Sequence, residues 1–179
     1  MAAVRRPTRS VADRMVPRLA ALLLAGCAVL WVAVLVATPV AFAHGYVVGP
    51  ALVYEACGLV CHQRPERSFH LAGVQLPVCA RCLGLYASGA FGAVVACAAA
   101  ADRSLEIRPV RDTRWALAIA SIPTALTLLS EWSGLWYPSG AARAFAAVPL
   151  GAVAGWVLVR CVADGPAEVR HSGQVRYHS

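Results

Sequence analysis

"LAALLLAGCAVLWVAVLVATPVAFA", residues 19–43, runs for twenty-five positions without one charged side chain. A helix of roughly 20 apolar residues is enough to cross the hydrocarbon core of a bilayer. The rest of the chain keeps the same character. Of its 179 residues, 59% are hydrophobic and 14% are charged, and the mean hydropathy is +0.63. Soluble domains carry about 25% charged residues, so a water-soluble fold is excluded.

Three more apolar segments follow, at 83–101, 115–132 and 141–162. Hydrocarbon offers no partner to an unpaired peptide group, so each segment is expected to be a helix that satisfies its own backbone. The fold class expected is an all-α integral membrane protein with four transmembrane helices. An extracytoplasmic Cys/His-rich loop lies between the first two. The expected organisation is an arginine-rich N-terminus (1–18), a four-helix membrane domain (19–162) with its loop at 44–82, and a polar tail (163–179). Pro123 and several hydroxyl residues interrupt the third span. No internal repeat is visible.

The first segment has two other readings. "LLLAGC", ending at Cys27, matches a lipoprotein cleavage box, but the chain stays apolar to Ala43 where a released lipoprotein would turn polar. "AFA" at 41–43 would suit a signal-peptidase site, yet the apolar run exceeds the 7–15 residues or so of a signal core. The segment is therefore taken as a retained helix.

All 16 basic residues are arginines. Arg5, Arg6, Arg9, Arg14 and Arg18 precede the first span, and Arg103, Arg108, Arg111 and Arg114 link the second to the third. Arg160, Arg170 and Arg176 close the chain. The opposite side holds Arg64, Arg67, Arg81 and Arg143. Arginine-rich flanks stay in the cytoplasm, which places both termini there, in a cell membrane, and turns the loop outward. The net charge of +7 is spread along these flanks, where anionic headgroups attract it. No basic stripe interleaved with aromatics appears, so a nucleic-acid partner is not expected. The partner expected is the lipid bilayer.

The outward loop contains "CHQRPERSFHLAGVQLPVCARC", residues 61–82, a segment unlike its surroundings. Cys57, Cys61, Cys79 and Cys82 all fall in this loop, whereas Cys27, Cys97 and Cys161 lie within spans as small apolar fillers. "CHQRPERSF" (61–69) followed by the spacing G-x-x-x-P-V-C-A-R-C-L-G-L-Y-x-x-G (73–89) resembles the membrane proteins grouped as domain of unknown function 2085. Weaker similarity continues past Arg143 to Gly151 and Gly155. The resemblance implies a small multi-pass prokaryotic membrane protein with no established activity. Cys57 stands outside the matching residues.

The residues themselves suggest a metal site. Cys79 and Cys82 form a C-x-x-C chelate, and Cys61 returns from eighteen positions upstream, a separation that zinc modules also use. His62 is the fourth ligand expected, with Cys57 and His70 as alternatives, since neighbouring side chains such as Cys61 and His62 diverge. Thiolate ligands favour zinc or another thiophilic transition metal. Arg64, Arg67 and Arg81 would offset their charge, with Gln63 and Ser68 gathered beside them.

A second reading is thiol–disulfide exchange, with the C-x-x-C at a helix start lowering the first thiol's pKa. That layout is similar to quinone-linked disulfide-generating membrane proteins and vitamin K epoxide reductases. The second pair, Cys57 and Cys61, matches neither family, and a quinone belongs to this alternative alone. A third reading is a structural clip of two disulfides. An enzyme is neither required nor excluded, and no acid–base triad is visible. Four short helices with one polar stripe make a poor pore.

His44 reads as the wet end of the first helix, and His171 and His178 as part of the tail. Phe69 and Tyr86 read as interfacial anchors. Pro65 and Pro77 shape the loop.

Small residues recur every fourth position: Gly84, Ser88 and Gly92 on the second span, with Gly89 beside them, and Ala147, Gly151 and Gly155 on the fourth. Such faces let helices approach closely in lipid. They are expected to pack against each other or to form a homo-oligomer. Glu131 and Arg143 face each other across a short turn, either as an ion pair closing it or as part of the site above. Thr124, Thr127 and Glu131 form an inward polar stripe, expected to line a cavity under the loop.

Overall fold

The structure, a computed structural model, describes residues 11–101 and 113–164. Arg5, Arg6, Arg9, Arg103, Arg108, Arg111, Arg170, Arg176, His171 and His178 lie outside the described residues. In chain order the elements are α1 (Val11–Ala43), α2 (Val48–Gly58), a 3₁₀ turn (Pro65–Arg67), β1 (His70–Leu71), β2 (Val74–Gln75), α3 (Ala80–Ala101), α4 (Thr113–Trp132) and α5 (Gly140–Asp164). Three stretches are long and apolar enough to cross a membrane: Met15–Ala43, Ala80–Ala100 and Gly140–Ala163. The 20-residue α4, interrupted by Pro123, is not among them. Large apolar side chains such as Leu22, Leu30, Phe91 and Leu158 point outward. Lipid makes no demand that such groups be buried, so helix association must come from packing and polar contacts.

The closest packing is between α3 and α5. A Cβ built at Gly92 would fall inside the backbone of Ala152, and one at Gly155 inside that of Gly89. Ser88 faces the same seam opposite Gly151. Its hydroxyl donates to the Gly84 carbonyl at 2.7 Å, so it brings no unsatisfied polar group into the contact. The four-residue rhythm of small side chains thus brings two helices of one chain together, as expected from their spacing.

Helix α1 leans on this pair at two levels. Ala21 and Ala25 meet Ala93, Ala96 and Val159 in one cluster. Leu35 meets Cys57, Cys61 and Val78 in the other, with Trp31 alongside. The Trp31 ring stands edge-on to Tyr86, 6.5 Å between centroids, so Tyr86 is packed against α1 rather than held free as an anchor. Phe69 likewise lies against Gly140 at the start of α5. Helix α4 runs beside α5, and its Thr124 hydroxyl donates to the Ala146 carbonyl at 2.9 Å.

The loop between the first two spans is more ordered than its sequence suggests. Helix α2, eleven residues long, is too short to span and folds back beside the end of α1. A two-residue antiparallel hairpin follows, pairing His70 with Gln75 and Leu71 with Val74. Its turn residues, Ala72 (φ 53°) and Gly73 (φ 77°), both have the positive φ of a type I′ turn. Helix α3 begins at Ala80, three residues earlier than the apolar run suggests, and this puts Arg81 and Cys82 in its first turn.

Replacing Gly155 by Leu should push α5 off α3, because the obstacle is backbone and cannot rotate away. Overpacking costs about 1–3 kcal/mol or more. The midpoint of thermal unfolding in detergent should fall clearly for Gly155→Leu and stay within error for Gly26→Leu, whose surroundings are open.

Candidate functional site

Cys61 arrives from the turn after α2, where its N–H donates to the Cys57 carbonyl at 2.9 Å. Cys79 immediately precedes α3, and Cys82 lies one turn further on. The backbone N–H of Cys79 donates to Cys61 Sγ at 3.2 Å, a contact between positions eighteen apart. The three sulfur atoms lie within 4.8 Å of one another. Three of the expected ligands therefore converge.

The others do not join them. Cys57 Sγ is outside the mutual set, although the residue is fully buried beside Cys61. Burial, and then the proximity of Cys61, raise its thiol pKa and favour the neutral form. His70 is exposed on β1. His62 is exposed too, but it lines the same cleft as the three cysteines.

That cleft has a volume of about 510 Å³. Its wall includes Cys61, His62, Cys79 and Cys82 together with Arg64, Arg67, Arg81 and Arg143, and Val60, Leu128 and Trp132 edge it. Cys79 is the thiol most ready to ionise, with its pKa lowered to about 5. The largest cause is the hydrogen bond from the Cys82 thiol; burial opposes it, and the backbone N–H groups of Cys82 and Arg81 and the Cys61 thiol assist. The Arg81 guanidinium is directed elsewhere.

It goes to Glu131. This carboxylate, with only 2% of its side chain exposed, sits at the end of α4 and holds three arginines. Glu131 Oε1 accepts from Arg143 Nε at 2.8 Å and from Arg81 Nη2 at 2.9 Å. Arg67 Nη1 lies 3.3 Å from Oε2. Arg81 also reaches the Thr127 hydroxyl at 3.4 Å. Glu131 therefore ties α3, α4, α5 and the 3₁₀ turn together. The ion pair expected with Arg143 is present, enlarged by Arg67 and Arg81. Thr127 and Glu131 are buried as the polar stripe suggests, but neither they nor Thr124 line the cleft. Their hydrogen-bonding groups turn towards arginine and backbone partners instead.

Gln63 and Ser68 serve the loop's own architecture. Gln63 takes a positive φ of 47°, and its side-chain amide donates to the Tyr54 carbonyl at 2.6 Å. Gln75 Nε2 donates to the Gln63 carbonyl at 2.5 Å and to Ser68 Oγ at 3.3 Å, while the Tyr54 hydroxyl donates to the Gln75 carbonyl. The Ser68 hydroxyl donates to the Arg64 carbonyl at 3.0 Å. Tyr54 and Gln75 escaped the sequence reading. They act largely on backbone carbonyls, which leave no signal in a motif.

A bundle of membrane-type helices carrying a cysteine- and arginine-lined cleft at one end is the class that this geometry defines. The chain matches the family described as "Predicted membrane protein (DUF2085)" over residues 61–157, and it belongs to that family. It is 33% identical over 87 residues to an uncharacterized protein of Methanocaldococcus jannaschii, covering 46% of this chain and 51% of the relative. It is 53% identical over 32 residues to an uncharacterized protein of Methanothermobacter thermautotrophicus, covering 18% of this chain and 28% of the relative. The matches thus span about half of the first relative's length and less of the second's. No solved structure matches the chain.

Glu131→Gln should destabilise the fold by about 3–5 kcal/mol, as removal of one partner from a buried ion pair does, read as a lower denaturation midpoint in detergent. In metal-free protein, Cys79 should remain alkylable as pH falls from 8 towards 5. The thiolate is lost only near its depressed pKa of about 5. A rate already falling tenfold per unit below pH 8 would contradict this environment.

Proposed function

We propose that the chain is a four-span membrane protein, with both termini cytoplasmic, that binds a thiophilic transition metal, zinc foremost, through Cys61, Cys79 and Cys82 on its outer face. The convergence of three thiols from two separate segments carries this reading. Tetrahedral zinc with bonds of about 2.3 Å to sulfur sets thiolates about 3.8 Å apart. Sulfurs already within 4.8 Å of one another need to close by no more than about 1 Å. His62, on the wall of the same cleft, is the protein side chain best situated to supply a fourth ligand if its ring swings inward. Helix α4 serves as the fourth span, its exposed Ile119, Ile122, Leu126 and Leu129 facing lipid.

When bound, such a metal supplies a Lewis acid if its fourth position stays open and a structural clamp if it does not. The chain's own contribution is to present a ready thiolate at Cys79 and to hold the arginine-rich wall beside it. Thiol–disulfide exchange is the second reading, favoured by the same lowered pKa of Cys79 next to Cys82.

Elemental analysis of the detergent-purified protein, with thiol counts before and after reduction, tests both. About one metal per chain, lost in Cys79→Ser, is the expected result. Absence of metal together with two thiols gained per disulfide would remove the metal reading and leave thiol–disulfide exchange or a structural clip, which an assay of quinone-linked electron transfer separates. A membrane-impermeant thiol reagent applied to intact cells after metal chelation and reduction should label Cys79 or Cys82. Labelling only after the cells are opened would reverse the proposed orientation.

A further inference from the structure

The arginines of the cleft outnumber what the structure uses to neutralise them. Arg67, Arg81 and Arg143 surround Glu131, and among the described residues it is the one carboxylate within salt-bridge distance of any of them. Two positive charges are left over on side chains that line an open cleft, and Arg64 lines it as well. Burying or half-burying guanidinium groups without counter-charge is unfavourable, so a fold that assembles three around one acid is set up for a further anion.

The guanidinium groups are also held in place. One carboxylate oxygen takes Arg81 through Nη2 and Arg143 through Nε, which fixes both planes and leaves their other N–H groups for different acceptors. Arg81 Nε and Glu131 Oε2 are both shut off from solvent without a hydrogen-bond partner, so the donors left for an anion are the outer guanidinium nitrogens. The first turns of α3 and α5 bear Arg81 and Arg143 respectively. The positive ends of two helix dipoles therefore add to the same field.

We propose that this cleft binds a tetrahedral oxyanion of the phosphate class on Arg67, Arg81 and Arg143. Phosphate monoesters carry about −1.5 to −2 charges at neutral pH, which matches the surplus on the arginines. Planar guanidinium groups present paired donors that fit phosphate oxygens. Three thiolates on a divalent ion would return one negative charge, and the cleft would still be positive. The anion site therefore adjoins the thiols without depending on what they hold. Val60, Leu128 and Trp132 on its edge give an apolar wall beside the charged floor, so the phosphate can arrive free in solution or as the headgroup of a lipid.

Calorimetric titration of the full chain in detergent at low salt, with orthophosphate in one arm and dihexanoyl phosphatidate in the other, tests this. Binding should be seen and should weaken at least tenfold in Arg67→Gln and in Arg81→Lys, which keeps the charge but loses the fork. It should persist in Cys79→Ser, which alters the charge beside the site but leaves the arginines in place. Phosphatidate binding tenfold or more tightly than orthophosphate assigns the anion to a lipid, and equal or weaker binding assigns it to free phosphate; either supports the site. The proposal is overturned if neither probe binds, or if the arginine variants bind as the parent does. It is equally overturned if Cys79→Ser alone abolishes binding, since the anion would then sit on a thiol-held metal. Should Arg81→Lys unfold, Arg67→Gln, whose side chain is 34% exposed at the rim, carries the comparison.

Discussion

Two helix backbones in contact govern the rest of this molecule. Helices α3 and α5 approach until the space a side chain would need at Gly155 is filled by the backbone of Gly89. In lipid, where apolar surface gains nothing by being hidden from its surroundings, such contact is one of the few forces able to hold helices together. The seam also sets where the first turns of the two helices stand. Arg81 and Cys82 are carried by α3 and Arg143 by α5, so the spacing of the cleft's charged wall follows from the glycines and alanines of the seam, beginning with Gly84 against Ala144.

Glu131 provides the second constraint. A carboxylate so deeply buried is tolerated only beside opposite charge, and its three arginines come from three different parts of the chain. One acid thereby fixes the end of α4, the starts of α3 and α5, and the 3₁₀ turn that begins at Pro65, the last residue of "CHQRP" (61–65). The loop's own hydrogen bonds, from Tyr54 through Gln75 to Gln63, complete the frame on the side of Cys61. The thiols are consequently set between two rigid supports, one covalently continuous with α3 and the other built from α2 and the hairpin. An arrangement of this kind suits a site that must hold its shape around whatever it binds.

Much of the architecture was legible from composition alone. The apolar runs at 19–43, 83–101 and 141–162 correspond to helices long enough to span, because length and lack of charge are the whole requirement that a bilayer imposes. The rhythm of Gly84, Ser88 and Gly92 against Gly151 and Gly155 announced their packing for the same reason. Helix α2 did not announce itself, being short, apolar on most sides and interrupted by a proline in its first turn. The hairpin has too few residues to show an alternation. In the site, Cys61, Cys79 and Cys82 stood out by chelate spacing, whereas the separation of Cys57 and His70 from them depended on how the intervening loop folds.

Residue types and spacing thus determined that the chain is a membrane-helix protein, which faces its helices would bring together, and which cysteines were able to meet. Tertiary structure alone decided that Arg81 turns to Glu131 rather than to its neighbouring thiols, and that Arg67 joins from 64 residues away. It also decided that Gln63 and Ser68 brace the loop through backbone carbonyls, with Gln63 alone of the two on the cleft wall. The physical reason is range. Hydropathy and small-residue periodicity are local properties, written residue by residue, while the partner of a buried charge is chosen by whichever opposite charge the folded backbone brings within about 3 Å of it.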